Sequence, residues 1–229
     1  MTDPPRLVVL GHQGAGKGTQ CSRLAEHLDI AHVSTGDLFR AAVRAGSPTG
    51  RSVASFLDRG ELVPDELTLT AVEEHLSSAG LERAGYLLDG FPRTVAQAEA
   101  FCGAIDLDGP PVRIDAVLAL EVPVETVAAR IRSRRACPAC GWTTLVTDPA
   151  TVAVPCDDCA GTATQREDDH DDAVRRRLAL YDSETGPLTP WFAARGLLVP
   201  VDGDADPELV FDRILAALAP HLAVERVSL

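Results

Sequence analysis

LVVLGHQGAGKGTQ, residues 7–20, passes from a short apolar run through closely spaced glycines into residues that favour helix. The run ending at Gly11 predicts a strand buried on both faces of a parallel sheet, and a helix is expected from about Lys17 to Leu28. Between them, residues 11–17 have the GxxxxGK spacing of a phosphate-binding loop. Glycines let backbone N–H groups converge on phosphate oxygens, and the lysine reaches over to the outer phosphates as a flexible point charge. Lys17 is the single lysine of the 229 residues, and all other permanently charged cations are arginines. The hydroxyl residue that usually follows this lysine is displaced by one position, with Gly18 in its place and Thr19 next.

The same strand-then-turn pattern recurs at 86–92 (YLLDGFP), 116–123 (AVLALEVP) and 197–203 (LLVPVDG), with a shorter candidate at 32–34 (HVS). Helical patterns lie between them, at 37–45, 51–58, 66–78, 94–102, 123–134, 170–181 and 206–219. Strands alternating with helices imply right-handed crossovers, hence an α/β fold with a parallel sheet of about five strands covered by helices on both faces. Ligands then belong at the carboxyl ends of the strands. The segment 136–164, rich in Cys, Pro, Thr and Asp, breaks this rhythm and reads as an inserted lobe.

At 24.2 kDa and 45% hydrophobic residues, the chain can bury one substantial core. Its 21 Lys+Arg against 34 Asp+Glu, net −13, argue against a general nucleic-acid binder. An anionic ligand must therefore meet locally concentrated arginines. The start lacks a cationic stretch leading into a long apolar one, and no apolar run approaches the roughly 18 residues of a membrane span. A soluble, cytoplasmic protein with no membrane partner is expected.

CPAC (137–140) and CDDC (156–159) place Cys137, Cys140, Cys156 and Cys159 at the spacing of a tetrahedral four-thiolate zinc site. No Lys or Arg lies between Cys137 and Cys159, which disfavours a nucleic-acid zinc ribbon. A closed site has no open position for catalysis, so a Zn²⁺ here should fold a lobe too small to build its own core. Cys21 and Cys102 read as small buried hydrophobes, Trp142 as packing for the metal lobe, and Trp191 and Phe192 as packing near the last strand. His12 reads as an ordinary loop side chain. Asp89 ends a buried apolar strand, where a charge needs a cationic or metal partner.

GKGTQ (16–20) resembles the phosphate loop of nucleoside monophosphate kinases, above all adenylate kinases, whose pattern is GxPGxGKGTQ. His12 and Gln13 depart from it, Gln13 standing where the pattern has proline. Losing proline loosens φ but removes no phosphate donor. The resemblance continues in order through STGDLFR (34–40), LVPDE (62–66), DGFPRTVAQ (89–97), ARIRSRR (129–135) and REDDHDDAVRRRL (166–178).

The resemblance implies a core of residues 1–134 and 166–229, a helical monophosphate-binding segment at about 34–65, and a zinc-bearing lid at 135–165. For ATP it implies Gly14, Ala15, Gly16, Lys17, Gly18 and Thr19 with Arg130 and Arg134. For AMP it implies Thr35, Arg40, Glu61, Leu62, Val63, Gly90, Phe91, Pro92, Arg93, Gln97, Arg166 and Arg177. Lys17, Arg93, Arg130, Arg134, Arg166 and Arg177 match the clamp on the transferring phosphates, Asp168 and Asp169 the lid hinge, and Asp89 a Mg²⁺ ligand through water; on spacing alone Asp169 reads equally as a helix N-cap. The remaining arginines of these segments, Arg132, Arg135, Arg175 and Arg176, read mostly as solvated faces. The implied reaction is Mg·ATP + AMP ⇌ 2 ADP, carried out by a monomer. Three alternatives remain: a kinase for another monophosphate, a nucleotide-switched regulator (disfavoured because the lone lysine leaves none for an NKxD segment), and an inactive nucleotide-binding module.

Overall fold

A computed structural model describes residues 4–103, 114–166, 169 and 171–222, with backbone alone at 171–173. The chain runs β1 (Arg6–Leu10), α1 (Lys17–Leu28), β2 (Ala31–Ser34), α2 (Thr35–Arg44), α3 (Pro48–Arg59), α4 (Asp65–Ser78), α5 (Leu81–Ala84), β3 (Tyr86–Asp89) and α6 (Val95–Gly103). After β4 (Ala116–Glu121) and α7 (Val124–Ser133) come four short strands, β5 (Arg134–Ala136), β6 (Thr143–Leu145), β7 (Ala153–Pro155) and β8 (Thr162–Thr164). Helix α8 (Asp171–Leu180), a π-helical turn (Tyr181–Thr185), α9 (Leu188–Ala193), β9 (Leu198–Asp202) and α10 (Pro207–Leu222) complete the described chain.

Five parallel strands form the main sheet in the order β2-β3-β1-β4-β9. Alternation along β1 explains its two-sided burial: Leu7 and Val9 point to one face, Val8 and Leu10 to the other. The first face packs Cys21, Leu24 and Ala25 of α1 against Val210, Ile214 and Leu218 of α10. Opposite, Val72 and Leu76 of α4, Ala98 and Phe101 of α6, and Phe192 of α9 cover the sheet. From β1 the chain goes out to β2 on one side, returns through β3 and crosses to β4, so the strand order switches direction at β1. The register sets Val9, Asp89 and Ser34 side by side, bringing the carboxyl ends of β1, β3 and β2 together.

Helices α2 and α3 and the segment leading to α4 share a small cluster of their own, Phe39, Val53 and Val63. Gly50 permits their close approach, because a Cβ there would lie 2.1 Å from the Ala42 carbonyl oxygen. The strands β6-β5-β8-β7 form a separate antiparallel sheet, and α2 and α3 begin at 35 and 48 rather than 37 and 51, each capped by a serine, Ser34 or Ser47. Among the described residues no helix is long and apolar enough to cross a membrane.

Candidate active site

The loop between β1 and α1 is shaped by its glycines. Gly14 (φ 86°) and Gly16 (φ 94°) sit in the left-handed region, and a Cβ on Gly14 would come within 2.7 Å of Ile131 on α7. Helix α1 opens with no side-chain cap and no acidic residue in its first turn, so its first N–H groups and the positive end of its dipole face the loop. Lys17 donates from Nζ to the Gly11 and His12 carbonyls at 2.7 and 3.0 Å. Part of the side chain stays open to solvent, but the ammonium lies inside the loop: withdrawal from water lowers its pKa, Asp89 opposes this, and Arg93 and Arg134 add to it.

Asp89, at the end of β3, is enclosed by Lys17, His32 and Arg93. Burial pushes its carboxyl up, but contact with His32 and the charges of Lys17 and Arg93 prevail and hold it below the usual carboxylate range. His32 Nε2 stands 3.7 Å from the carboxylate, within ion-pair reach but too far for a hydrogen bond, and this buried nitrogen has no hydrogen-bond partner among the described residues. Cys21 faces the same spot, and burial pushes its thiol well up. Thr35, 2% exposed, donates to the carbonyls of Gly90 (2.9 Å) and Asp89 (3.4 Å).

Arg130 excepted, the predicted arginines lie within electrostatic reach of this strand edge. Arg93 donates from Nε to the Gly90 carbonyl at 2.8 Å, and its own carbonyl accepts from Thr185 at 2.9 Å. Arg40 reaches Asp37 at 2.5 Å. Burial raises the Asp37 carboxyl, yet the Arg40 bond and charge, the Ser34 hydroxyl and the charge of Arg166 together hold it low. Arg134 makes a two-pronged contact with Asp169, Nε to Oδ2 at 2.9 Å and Nη2 to Oδ1 at 2.6 Å. Arg177 donates to Gln13 Oε1 at 2.6 Å and passes Gly60, at the end of α3. Arg130 stands apart, with long 3.4 Å contacts to the Ala15, Gly203 and Ala205 carbonyls. Asp168 lies outside the described residues.

Several expected binding residues are committed to the protein itself. Gln97, 1% exposed, accepts from the Arg93 N–H at 2.7 Å and donates to Asp65 at 2.7 Å, bonds that hold its amide in place and use one of its two N–H groups and one of its two lone pairs. Phe91 turns into the core, edge-on to Phe101. Glu61 pairs with Arg59 at the surface while its N–H bonds the Phe56 carbonyl, and Val63 packs with Phe39. Gly18 and Thr19 are exposed at the mouth of the loop.

Two readings are corrected. Arg135, read among solvated faces, is 1% exposed and donates to the carbonyls of Arg132, Arg134, Pro149 and Thr151. A cage of carbonyl dipoles replaces water around its charge. Cys102 is half-buried rather than buried.

In the lobe, the four sulfurs lie within 4.8 Å of one another, Cys140 to Cys156 at 3.4 Å and Cys137 to Cys159 at 3.6 Å. A tetrahedral Zn–S₄ centre needs sulfurs about 3.8 Å apart, so the geometry fits a metal such as zinc with small adjustment. Gly161 supports it: a Cβ there would meet two of the sulfurs at 3.0 and 3.1 Å. Backbone N–H groups of Cys140 and Ala139 point at the Cys137 sulfur and lower its pKa, while Cys140 and Cys159, crowded by the neighbouring thiols, are raised.

The adenylate kinase family model matches residues 9–197. Over 214 residues the chain is 43% identical to a protein of Thermodesulfovibrio yellowstonii named adenylate kinase, covering 93% of this chain and 98% of that one. An adenylate kinase of Acidothermus cellulolyticus is 44% identical over 214 residues (93% and 97%), and one of Moorella thermoacetica 45% over 199 (86% and 90%). The chain belongs to the adenylate kinase family. It is thus a nucleoside monophosphate kinase, a phosphotransferase that binds nucleotides.

Within this adenylate kinase family member, the sequence left several positioning residues unseen. Asp65 orients Gln97 and takes a bond from Thr94 at 3.0 Å, and Thr185 holds the Arg93 backbone. Asp65 lies inside LVPDE, so proximity to that segment was the available signal; Thr185, 92 residues from Arg93, left none. The His12 ring lies 4.0 Å from that of Tyr181 and 3.6 Å from Asp182, which places the π-helical turn against the phosphate loop.

Proposed function

We propose that this adenylate kinase family member moves the γ-phosphoryl group of Mg·ATP to AMP, giving two ADP. ATP phosphates sit on the loop 14–19 under Lys17, with Arg130 and Arg134 reaching from the α7 end. The AMP phosphate lies between Arg40, Arg93, Arg166 and Arg177, with the nucleoside along Thr35, the 61–63 backbone and Gln97. In-line attack of an AMP phosphate oxygen needs positioning and charge neutralisation but no general base. Lys17 and the arginines hold the two phosphates in line, and Thr35, Gly90 and Arg93 form the wall opposite the loop. Asp89, kept ionised by its cationic neighbours, would hold the water shell of a Mg²⁺ bound with ATP, which would supply charge neutralisation there.

Cys137, Cys140, Cys156 and Cys159 hold a structural Zn²⁺ that folds the lid, residues 135–165. Closure of that lid over ATP keeps water from the phosphoryl group. The same reading makes the chain a cytoplasmic monomer. One observation carries the proposal: the parallel register sets the Lys17 loop, Asp89 and Thr35 at one strand edge, with Arg93 in electrostatic reach of Arg177 and Arg40. Initial rates with Mg·ATP and AMP, GMP, CMP or UMP test it. AMP should be preferred by at least about a hundred-fold in kcat/KM, since a buried hydrogen-bonding site rejects an edge that leaves its groups unpaired. Equal rates for all four would place base selection elsewhere.

A further inference from the structure

Gln13 stands where the family pattern noted above has proline, and the structure gives both ends of its amide a partner from distant parts of the chain. Nε2 donates to Asp169 Oδ1 at 2.9 Å, across 156 residues, and Oε1 accepts from Arg177 Nη1 at 2.6 Å, across 164. Asp169 in turn takes both prongs of Arg134. The result is an unbroken chain, Arg177 to Gln13 to Asp169 to Arg134, passing through the phosphate loop.

We propose that Gln13 is a positioning residue for phosphoryl transfer, locking the loop that carries ATP to Arg177 and, through Asp169, to Arg134. The inference rests on the phosphoryl-transfer reading above and adds a residue to it.

The chemistry dictates the amide. A guanidinium can only donate and an ionised carboxylate can only accept, so the residue between Arg177 and Asp169 must accept on one side and donate on the other. Glutamine does both without carrying charge. Its oxygen anchors one corner of the Arg177 guanidinium without neutralising the charge that a phosphate would meet. Asparagine is one methylene short of spanning the two partners, and proline offers neither group. Because Asp169 lies between the lid sheet and α8 while Arg177 passes Gly60, the amide ties the ATP loop to the lid hinge and to the edge of the α2–α3 segment at once.

The test is Gln13→Met, which keeps side-chain length and removes both polar ends, with Gln13→Glu as its companion. Glutamate still accepts from Arg177, but it cancels a positive charge and sets a carboxylate against Asp169. Turnover of Mg·ATP with AMP, equilibrium binding of Mg·ATP and the thermal midpoint are measured for each. A clamp group displaced by a fraction of an ångström costs on the order of tenfold in rate. We expect kcat about tenfold lower in Gln13→Met and lower still in Gln13→Glu, with Mg·ATP binding within about twofold, because the backbone cradle is untouched. Native turnover in either variant overturns the proposal. So does a loss of turnover matched by an equal loss of Mg·ATP affinity, which would mean Gln13 only shapes the loop. Absence of turnover in the native chain overturns the phosphoryl-transfer reading and this inference together, whereas an active native chain with an indifferent Gln13 overturns this one alone.

Discussion

Asp169→Asn tests whether the buried two-pronged pair holds the lid hinge. The native carboxylate, 1% exposed, accepts from Arg134 at 2.9 and 2.6 Å and from Gln13 at 2.9 Å, so every group pointing at it is a donor. An amide of the same shape offers one acceptor and two N–H groups, and one of those N–H groups must face a donor. Removing one partner of a fully buried ion pair costs about 3–5 kcal/mol. Here the Arg134 side chain keeps 16% exposure and the amide oxygen keeps a bond, which brings the expected cost down to about 2–3 kcal/mol. For a chain of this length each kcal/mol lowers the melting midpoint by about 2–4 °C, so the variant should melt roughly 5–10 °C below the native protein. Calorimetry at pH 7 measures this, and turnover of the same sample should fall by at least about tenfold as the Arg134 fork is released. A midpoint within about 1 °C of native would refute the reasoning, because it would mean the fork contributes nothing that water does not replace.

Three further outcomes are expected. Stripping the lobe with a chelator should lower the melting midpoint and release zinc detectable by elemental analysis, since Cys137, Cys156 and Ala163 make too small a core to hold four short strands; an unchanged melting curve would count against a structural metal. An amine-selective reagent should modify Lys17 and be blocked by Mg·ATP. Because the folded pKa of Lys17 lies below its ordinary 10.5, the free protein loses that ammonium earlier than an ordinary lysine as pH rises; Mg·ATP affinity should weaken through that range in the native protein and stay flat in Lys17→Arg. Arg135→Met strands four carbonyls in a site 1% exposed, each costing about 1–3 kcal/mol if left unpaired, so limited proteolysis should cut within 135–165 before the core. Cleavage that begins elsewhere would remove Arg135 from that role.

Some of this was legible before any coordinates. Strands β1, β3 and β4 are buried on both faces along most of their length and read as apolar runs ending at a turn, whereas the edge strand β9 alternates, with Val199 and Val201 buried and Pro200 and Asp202 exposed. The lid strands β5 to β8 are three residues each, too short for alternation to register, and they hold through sulfur geometry and the Arg135 carbonyl cage rather than through side-chain pattern. Arg135 illustrates the limit: an arginine in a run of arginines reads as solvated until the carbonyls that surround it, up to 16 residues away, are in place. The π-helical turn left no trace either, because what places it is contact with His12, far off in the chain.

The sequence by itself determined the α/β class, the glycine-rich turn from β1 into α1, the cluster of four cysteines and the family, because each depends on backbone preferences and ligand spacings that act over a few residues. Only the tertiary structure decided what the charged and polar side chains hold. Gln97 pairs with Asp65 and Arg93, Thr185 steadies Arg93, and Gln13, known from sequence only as a missing proline, joins Arg177 to Asp169. Those partners lie up to 164 residues apart. A side chain's choice of partner depends on which groups the fold leaves unpaired within about 3 Å of it, and no local spacing carries that information.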